Sequence, residues 1–400
     1  MIYILTREGW PFNKEWKEDK TLFQYVNLEY FVTQFLFKDE PAKVHNMRHE
    51  DTLVTNEIID KILSENPDIK LFACDLDCFQ NKQSLLSYDE HICKKYPNVF
   101  FIFFYHELDL TLIVNENTKK LSNAIYVLNS FNTSNPDLLD GKVFPYYLMN
   151  AYTQKYYDRM RNMYRPNELL RKCKKYNFLN GVHKPHRFAA YQLIKKYDML
   201  KDGFFSYLDY PRHSKDEGYI KQTADFLDME VNEFKQCLST FEIPYLLESF
   251  EPLTAAGIFS APFIIPPIYS WQSYISITSE TNYIEKTNLV SLSEKSFKAF
   301  TGFNIPLIYG QPNLVDYLRH LGFDMFDDLF DNTPTHNKSA TFEKLEKNIQ
   351  TINNMSYQEL HNFYTNNLDR IYHNFNNMVN RSKEKQFNQI RSLTQSIFRK

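Results

Sequence analysis

The sequence predicts an α/β fold of two Rossmann-like domains facing a cleft, and three observations lead there. Its 400 residues exceed one ordinary core and suit two domains of roughly 150 to 200 residues each. Short apolar runs alternate with segments of helical spacing, the pattern of a parallel sheet joined by crossover helices. That alternation occurs twice, on either side of a strongly basic stretch. Apolar residues at 43% and charged residues at 24% are ordinary for a globular chain, which excludes disordered and fibrous classes.

In the first half, Ile2-Tyr3-Ile4-Leu5 reads as a short buried strand ending in the polar turn Thr6-Arg7-Glu8-Gly9. Leu71-Phe72-Ala73-Cys74, Val99 to Tyr105 and Ala124 to Leu128 repeat the signature, with helical spacing at Thr52 to Leu63 and Ser84 to Lys95 between them. These elements define an N-terminal domain over residues 1–150. Open α/β sheets place ligands outside the carboxyl ends of their strands, so Asp75, Asp77, Glu107 and Asp109 become candidate carboxylates.

Residues 151–175 form a basic connection, with Lys155, Arg159, Arg161, Arg165, Arg171, Lys172, Lys174 and Lys175. Such a run is either a solvated helix face or a surface for an anionic ligand. A second domain spans 176–335: a strand at Tyr176 to Leu179, a helix from His186 to Tyr197 and a strand at Tyr274 to Ile277. A helix opening at Ser293-Glu294-Lys295, a strand at Ile305 to Tyr309 and a helix over Leu314 to Leu321 follow. In the tail, 340–400, Ser356 and Glu359 make a capping box, and Leu360, Phe363, Leu368, Ile371, Phe375 and Met378 follow helical spacing.

Composition narrows the chemistry. Five cysteines (Cys74, Cys78, Cys93, Cys173, Cys237) without paired CxxC spacing disfavour a zinc site and a disulfide framework, and point to a reducing, cytoplasmic setting. The N-terminal apolar run is too short for a signal-peptide core, and no apolar run reaches membrane-spanning length, so no membrane insertion is expected. The net charge of −3 excludes a generally cationic nucleic-acid binder. With 9 glycines and neither GxGxxG nor GxxxxGK[ST], a glycine-built phosphate cradle is excluded, and with it a dinucleotide dehydrogenase or P-loop NTPase. A phosphate site must use side chains and helix ends, and neither a cofactor nor a metal is expected.

The segment Ile277 to Asn282, followed by Ser291 to Lys298, has a physical logic of that kind. A helix capped by Ser293 aims free N–H groups and its positive dipole end at an anion, and Lys295 adds a full charge. Glu294, with Glu280 as companion, can accept hydrogen bonds from ribose hydroxyls. The plain alternative is a capped surface helix whose Glu offsets the dipole.

Ser279-Glu280-Thr281, then Ser293-Glu294-Lys295, a strand with Pro306, and Leu318 to Phe326 together resemble the donor half of fucosyltransferase-like GT-B glycosyltransferases, especially phage and giant-virus members. The likeness covers residues 176–330; residues 1–150 match in general architecture only. It implies a GT-B fold whose last helix, Leu360 to Met378, crosses back to the N-terminal acceptor domain. It also implies that Glu294-Lys295 and the helix-opening Arg187 bind ribose and diphosphate, with Thr281 standing where those enzymes usually carry Asn. The implied activity is transfer of a sugar from a nucleotide-sugar donor to a hydroxyl of a glycan or of a modified base in DNA, metal-independent and inverting. Glu107 is the first choice of catalytic base, with Asp75 and Asp77 as further carboxylates. Asp75-Leu76-Asp77 also fits the Asp-x-Asp metal pattern, which is frequent by chance. The competing class is a non-catalytic nucleic-acid or virion-associated binding protein.

Overall fold

Six parallel strands make the first sheet: β1 (Ile2–Arg7), β2 (Ala42–Met47), β3 (Leu71–Asp75), β4 (Phe100–Tyr105), β5 (Ala124–Leu128) and, after the two-residue β6 (Phe131–Asn132), β7 (Val143–Pro145), in the order β2-β1-β3-β4-β5-β7. The structure is a computed structural model of the chain. It describes residues 1–7, 42–47, 56–75, 91–105, 122–128, 131–132, 143–145, 171–180, 183–207, 215–240, 267–280, 283, 289–290, 294–335, 337–381 and 392. Contacts divide the chain into two compact units, residues 1–158 with 381–400, and residues 159–380.

Consecutive residues on β1, β3 and β4 are buried on both faces, as near-continuous apolar runs in a covered parallel sheet must be. The parallel register puts Tyr3, Phe72 and Phe101 in one cross-strand row. Their rings meet at 5.6 and 6.0 Å, so each strand is pinned to the next by aromatic contact as well as by the ladder. Lys43 of β2 extends that row, its ammonium 5.6 Å from the Tyr3 ring. Helix α1 (Asn56–Glu65) joins β2 to β3 and buries Ile59, Ile62 and Leu63.

The second unit holds four parallel strands, β8 (Lys174–Asn180), β9 (Gly203–Tyr207), β10 (Ser273–Ser279) and, after the short β11 (Leu289–Val290), β12 (Ile305–Tyr309), in the order β12-β10-β8-β9. Its helices are α2 (Pro185–Lys196), α3 (Glu217–Phe226), α4 (Val231–Ser239), α5 (Pro267–Trp271), α6 (Glu294–Thr301), α7 (Leu314–His320), α8 (Lys338–Asn354), α9 (Tyr357–Asn366) and α10 (Leu368–Arg381). At Gly203, opposite Tyr176, a Cβ would lie 2.2 Å from the Tyr176 ring, whose hydroxyl donates to the Met199 carbonyl at 2.9 Å. Any side chain there would force β8 and β9 apart.

The basic stretch ends in structural work where it is described. Lys172 donates to the carbonyls of Ser270, Trp271 and Ser273 and lies 4.4 Å over the Tyr364 ring. Lys175 donates to the Ile352 and Asn353 carbonyls at the end of α8. Apart from Ser273, which opens β10, these carbonyls lie at the ends of α5 and α8, where a helix leaves them open. The predicted capping box at Ser356 and Glu359 is present. The stripe of α9 and α10, expected on the N-terminal domain, has partners inside the second unit: Tyr364 donates to the Phe303 carbonyl at 2.9 Å, and Phe375 stacks on Phe303 at 4.3 Å. Arg370 forks onto Asp324 and Asp328 while lying 4.2 Å over Phe326. The tail's apolar face is drawn there because turn 321–330 and the end of α6 expose Phe303 and Phe326 to it. Among the described residues no helix is long and apolar enough to cross a membrane.

Candidate functional site

Both sheets reverse direction once. From β1 the chain steps outward to β2 and then returns to β3 on the other side, and from β8 it steps to β9 and returns to β10. The crossovers on either side of such a reversal leave a crevice at the carboxyl ends of the two strands, where open α/β sheets bind ligands. In the first unit those ends are Arg7 and Asp75. In the second they are Asn180 and Ser279, followed by α2 and by Glu280.

Proline at the first position of α2 fixes the turn that brings His186 and Arg187 back toward β10. His186 Nε2 donates to the Glu280 carbonyl at 2.8 Å, and Arg187 Nη2 donates to the same oxygen at 3.4 Å. The Glu280 N–H donates to the Tyr309 carbonyl, which extends β10 by one residue against β12. The Glu280 carboxylate accepts a 2.5 Å bond from Ser296 Oγ on α6, so the helix that begins at Glu294 is tied to the end of β10. Arg187 and Glu280 are 3% and 1% exposed; Lys295, beside Ser296, is half-buried.

The electrostatics follow from burial around a fixed cation. Burial, reinforced by the neighbouring Arg187 charge, pushes His186 down to about 3, so the ring is neutral and its donating nitrogen is Nε2. Burial raises the Tyr309 phenol while Arg187 pulls it the other way, which places this hydroxyl in the same positive field. At the end of β8 the Asn180 side-chain nitrogen is buried with no hydrogen-bond partner among the described residues. Behind this edge His183 is locked: Thr223 Oγ1 donates to the Tyr219 carbonyl and accepts from His183 Nε2 at 3.0 Å, leaving Nδ1 to accept from Tyr207 at 3.0 Å. That chain fixes His183, two residues before α2, to both β9 and α3.

Of the residues singled out in the sequence, Arg187 and Glu280 meet here, and Lys295 stands on the first turn of α6 beside Ser296. Glu294 opens α6, with its side chain outside the described residues; Thr281, Ser293, Asp77, Asp109 and Glu107 also lie outside them. Asp75 ends β3 at the first switch point. His186, Ser296 and Asn180 were not singled out. The first two stand one position from residues that were, but only the fold reveals that α2 and α6 turn them toward Glu280. Among the described residues no group of three His, Cys, Asp or Glu is placed to hold a metal.

No protein-family model matches the chain, and no curated protein matches it significantly. Among solved structures, the N-terminal domain of trehalose-6-phosphate phosphatase from Candida albicans is similar at a TM-score of 0.42 and 8% identity, over 99% of this chain and 96% of that one. At that score and identity the likeness bears on neither ligand nor reaction.

Proposed function

We propose that the second unit binds the diphosphate of a nucleotide sugar and that the protein is a GT-B-type glycosyltransferase transferring the sugar to a hydroxyl acceptor. The observation that carries this reading is the buried Arg187 at the β8/β10 switch point, bonded to the Glu280 carbonyl and felt electrostatically by His186 and Tyr309. A guanidinium there stays charged at any working pH and can bond two phosphate oxygens at once. The buried amide of Asn180 is a further donor at this edge, and Lys295 stands on the first turn of α6, the helix that Ser296 ties to Glu280.

In the transfer, an acceptor hydroxyl oxygen forms the new bond to the anomeric carbon as the bond to the leaving phosphate oxygen breaks. The acceptor proton passes to a carboxylate, for which Glu107 is the first choice, with Asp75 and Asp77 as alternatives. The electron pair leaves with the nucleoside diphosphate, whose growing negative charge Arg187, Lys295 and the start of α6 stabilise more than they stabilise the ground state.

The direct test is turnover. The purified chain is incubated with UDP-, GDP-, dTDP- and CMP-sugars, with water, glycans or hydroxylated DNA as acceptor, and nucleotide release is followed. The reading predicts release from one nucleotide class, reduced at least about tenfold in Arg187→Lys, which keeps the charge and loses the fork. No release from any donor, with salt-sensitive DNA binding unaltered in the variant, would replace it with the binding-protein reading.

A further inference from the structure

A small cavity with mixed apolar and polar walls opens at the carboxyl end of β12, one strand beyond the switch point. Its volume of about 60 Å³ is lined in part by Tyr309, Gln311, Asp316, Thr335, Thr341 and Lys344. That is several times the roughly 10–15 Å³ one water requires, and too small for a whole nucleotide. The cavity adjoins the Arg187 site through Gly310, another of its lining residues: a Cβ there would lie 2.9 Å from the Glu280 Cβ. The turn leaving β12 therefore packs directly on the residue whose carbonyl holds His186 and Arg187.

Its chemistry suits a neutral polyhydroxyl group better than an anion. Lys344 is already committed, donating to the Thr333 carbonyl and, at 2.7 Å, to Thr333 Oγ1, with Asp331 at 3.8 Å. Among the described residues Asp316 bonds Arg319 through Oδ1, and its side chain is 39% exposed, which leaves its other oxygen open to accept from a hydroxyl. Thr341 donates to the Asn337 carbonyl at 2.9 Å and so accepts from Thr335 at 2.7 Å, which leaves the Thr335 oxygen to accept from a hydroxyl.

A half-buried aromatic surface is joined to the same cavity. Tyr283 donates to Thr341 Oγ1 at 3.3 Å; the Phe342 ring lies 6.3 Å from Tyr309 and 6.1 Å from Tyr283; and Tyr283 lies 6.1 Å from the His186 ring. Of these rings Tyr283 and Phe342 retain exposure, whereas Tyr309 and His186 are buried beneath them. Aromatic faces beside a diol-binding carboxylate and a cationic edge match the three parts of a nucleoside diphosphate: base, ribose and phosphates.

We infer that the cavity beyond β12 receives the ribose of the donor nucleotide, with its base against Tyr283 and Phe342; this rests on the nucleotide-sugar reading of the second unit. Calorimetric titration with UDP, GDP, CDP and inorganic pyrophosphate tests it, on the native chain and on Asp316→Asn, Phe342→Leu and Arg187→Lys, each checked for its melting temperature. The expected result is one nucleoside diphosphate binding at least about tenfold tighter than pyrophosphate, about 1.4 kcal/mol. Asp316→Asn and Phe342→Leu should each remove much of that advantage and leave pyrophosphate unchanged, whereas Arg187→Lys weakens both ligands. If Phe342→Leu does not fold, Asp316→Asn decides alone. Equal affinity for nucleotide and pyrophosphate, or unaltered nucleotide binding in the cavity variants while Arg187→Lys weakens it, overturns the cavity assignment and leaves the diphosphate site standing. Binding of neither ligand overturns both.

Discussion

The two sheets share a strand order around their switch points and differ in what fills them. Around the first, β1, β3 and β4 bury Ile, Leu, Phe, Ala and Cys in succession. Around the second, the central strands β8 and β10 bury Asn177, Ser273, Ser276, Thr278 and Ser279. Buried polar groups destabilise unless bonded, by roughly 1–3 kcal/mol each, and here they are bonded. Asn177 Nδ2 donates to Ser273 Oγ at 2.8 Å, Ser276 Oγ donates to Asn177 Oδ1 at 3.0 Å, and Ser276 meets Thr278 at 3.3 Å. At the amino end Asn304 Nδ2 donates to the Ser270 and Ser273 carbonyls at 2.8 and 2.7 Å. Apolar packing holds the first sheet together; a directional network sets the register of the second and runs toward Glu280.

That contrast can be broken by a pair of substitutions read in urea unfolding. Phe101→Ala removes the last ring of the Tyr3–Phe72–Phe101 row and should cost about 3–5 kcal/mol. Asn177→Leu, which keeps volume but takes from Ser276 its acceptor and from Ser273 a donor, should cost about 1–3 kcal/mol. A neutral or stabilising Asn177→Leu would mean that the polar network is replaceable, and the distinction between the sheets would fail.

A subtler effect lies in pH. His186 titrates near 6.5 when unfolded and near 3 when folded, so between those values the unfolded chain binds more protons. The stability tied to its neutral form is fully present above about pH 6.5 and is lost as pH falls toward 3, at up to about 1.4 kcal/mol per pH unit. His186→Gln, whose amide nitrogen can still donate to the Glu280 carbonyl, should flatten that slope while leaving stability at pH 8 nearly unchanged. An unaltered slope, measured by melting temperature from pH 4 to 8, would show that the folded ring protonates normally.

The architecture was legible where burial is apolar. Ile2 to Leu5, Leu71 to Cys74 and Ile305 to Tyr309 announce their strands because both faces are covered, and Ser356 with Glu359 marks a helix start through local hydrogen bonding alone. Helix α8 escaped notice because its buried face includes Thr341 and Asn348 among Leu345, Ile349 and Ile352, which breaks the apolar period. β9 escaped because its five residues follow a short 3₁₀ turn with no alternation to read. At the site, residue chemistry pointed to Glu280, Glu294 and Lys295, and the family resemblance to Arg187. The part played by His186 depends on where α2 meets the end of β10, a non-local contact between residues 94 positions apart. The destination of the α9–α10 stripe was equally non-local: helical spacing shows that a face is apolar, not which partner covers it.

The central claim is that Arg187 forms the core of an anion site at the β8/β10 switch point. Thermal unfolding of the native chain and of the double variant Arg187→Lys, Lys295→Ala, in EDTA with UDP, GDP, CDP or pyrophosphate at about 100 times the dissociation constant, tests it most directly. Binding at that excess stabilises by about 2.7 kcal/mol, roughly 5–10 °C for a unit of this size. The account predicts that shift for the native chain with at least one ligand and little or none for the double variant. Equal shifts in both proteins, or no shift with any ligand in the native chain, would contradict it.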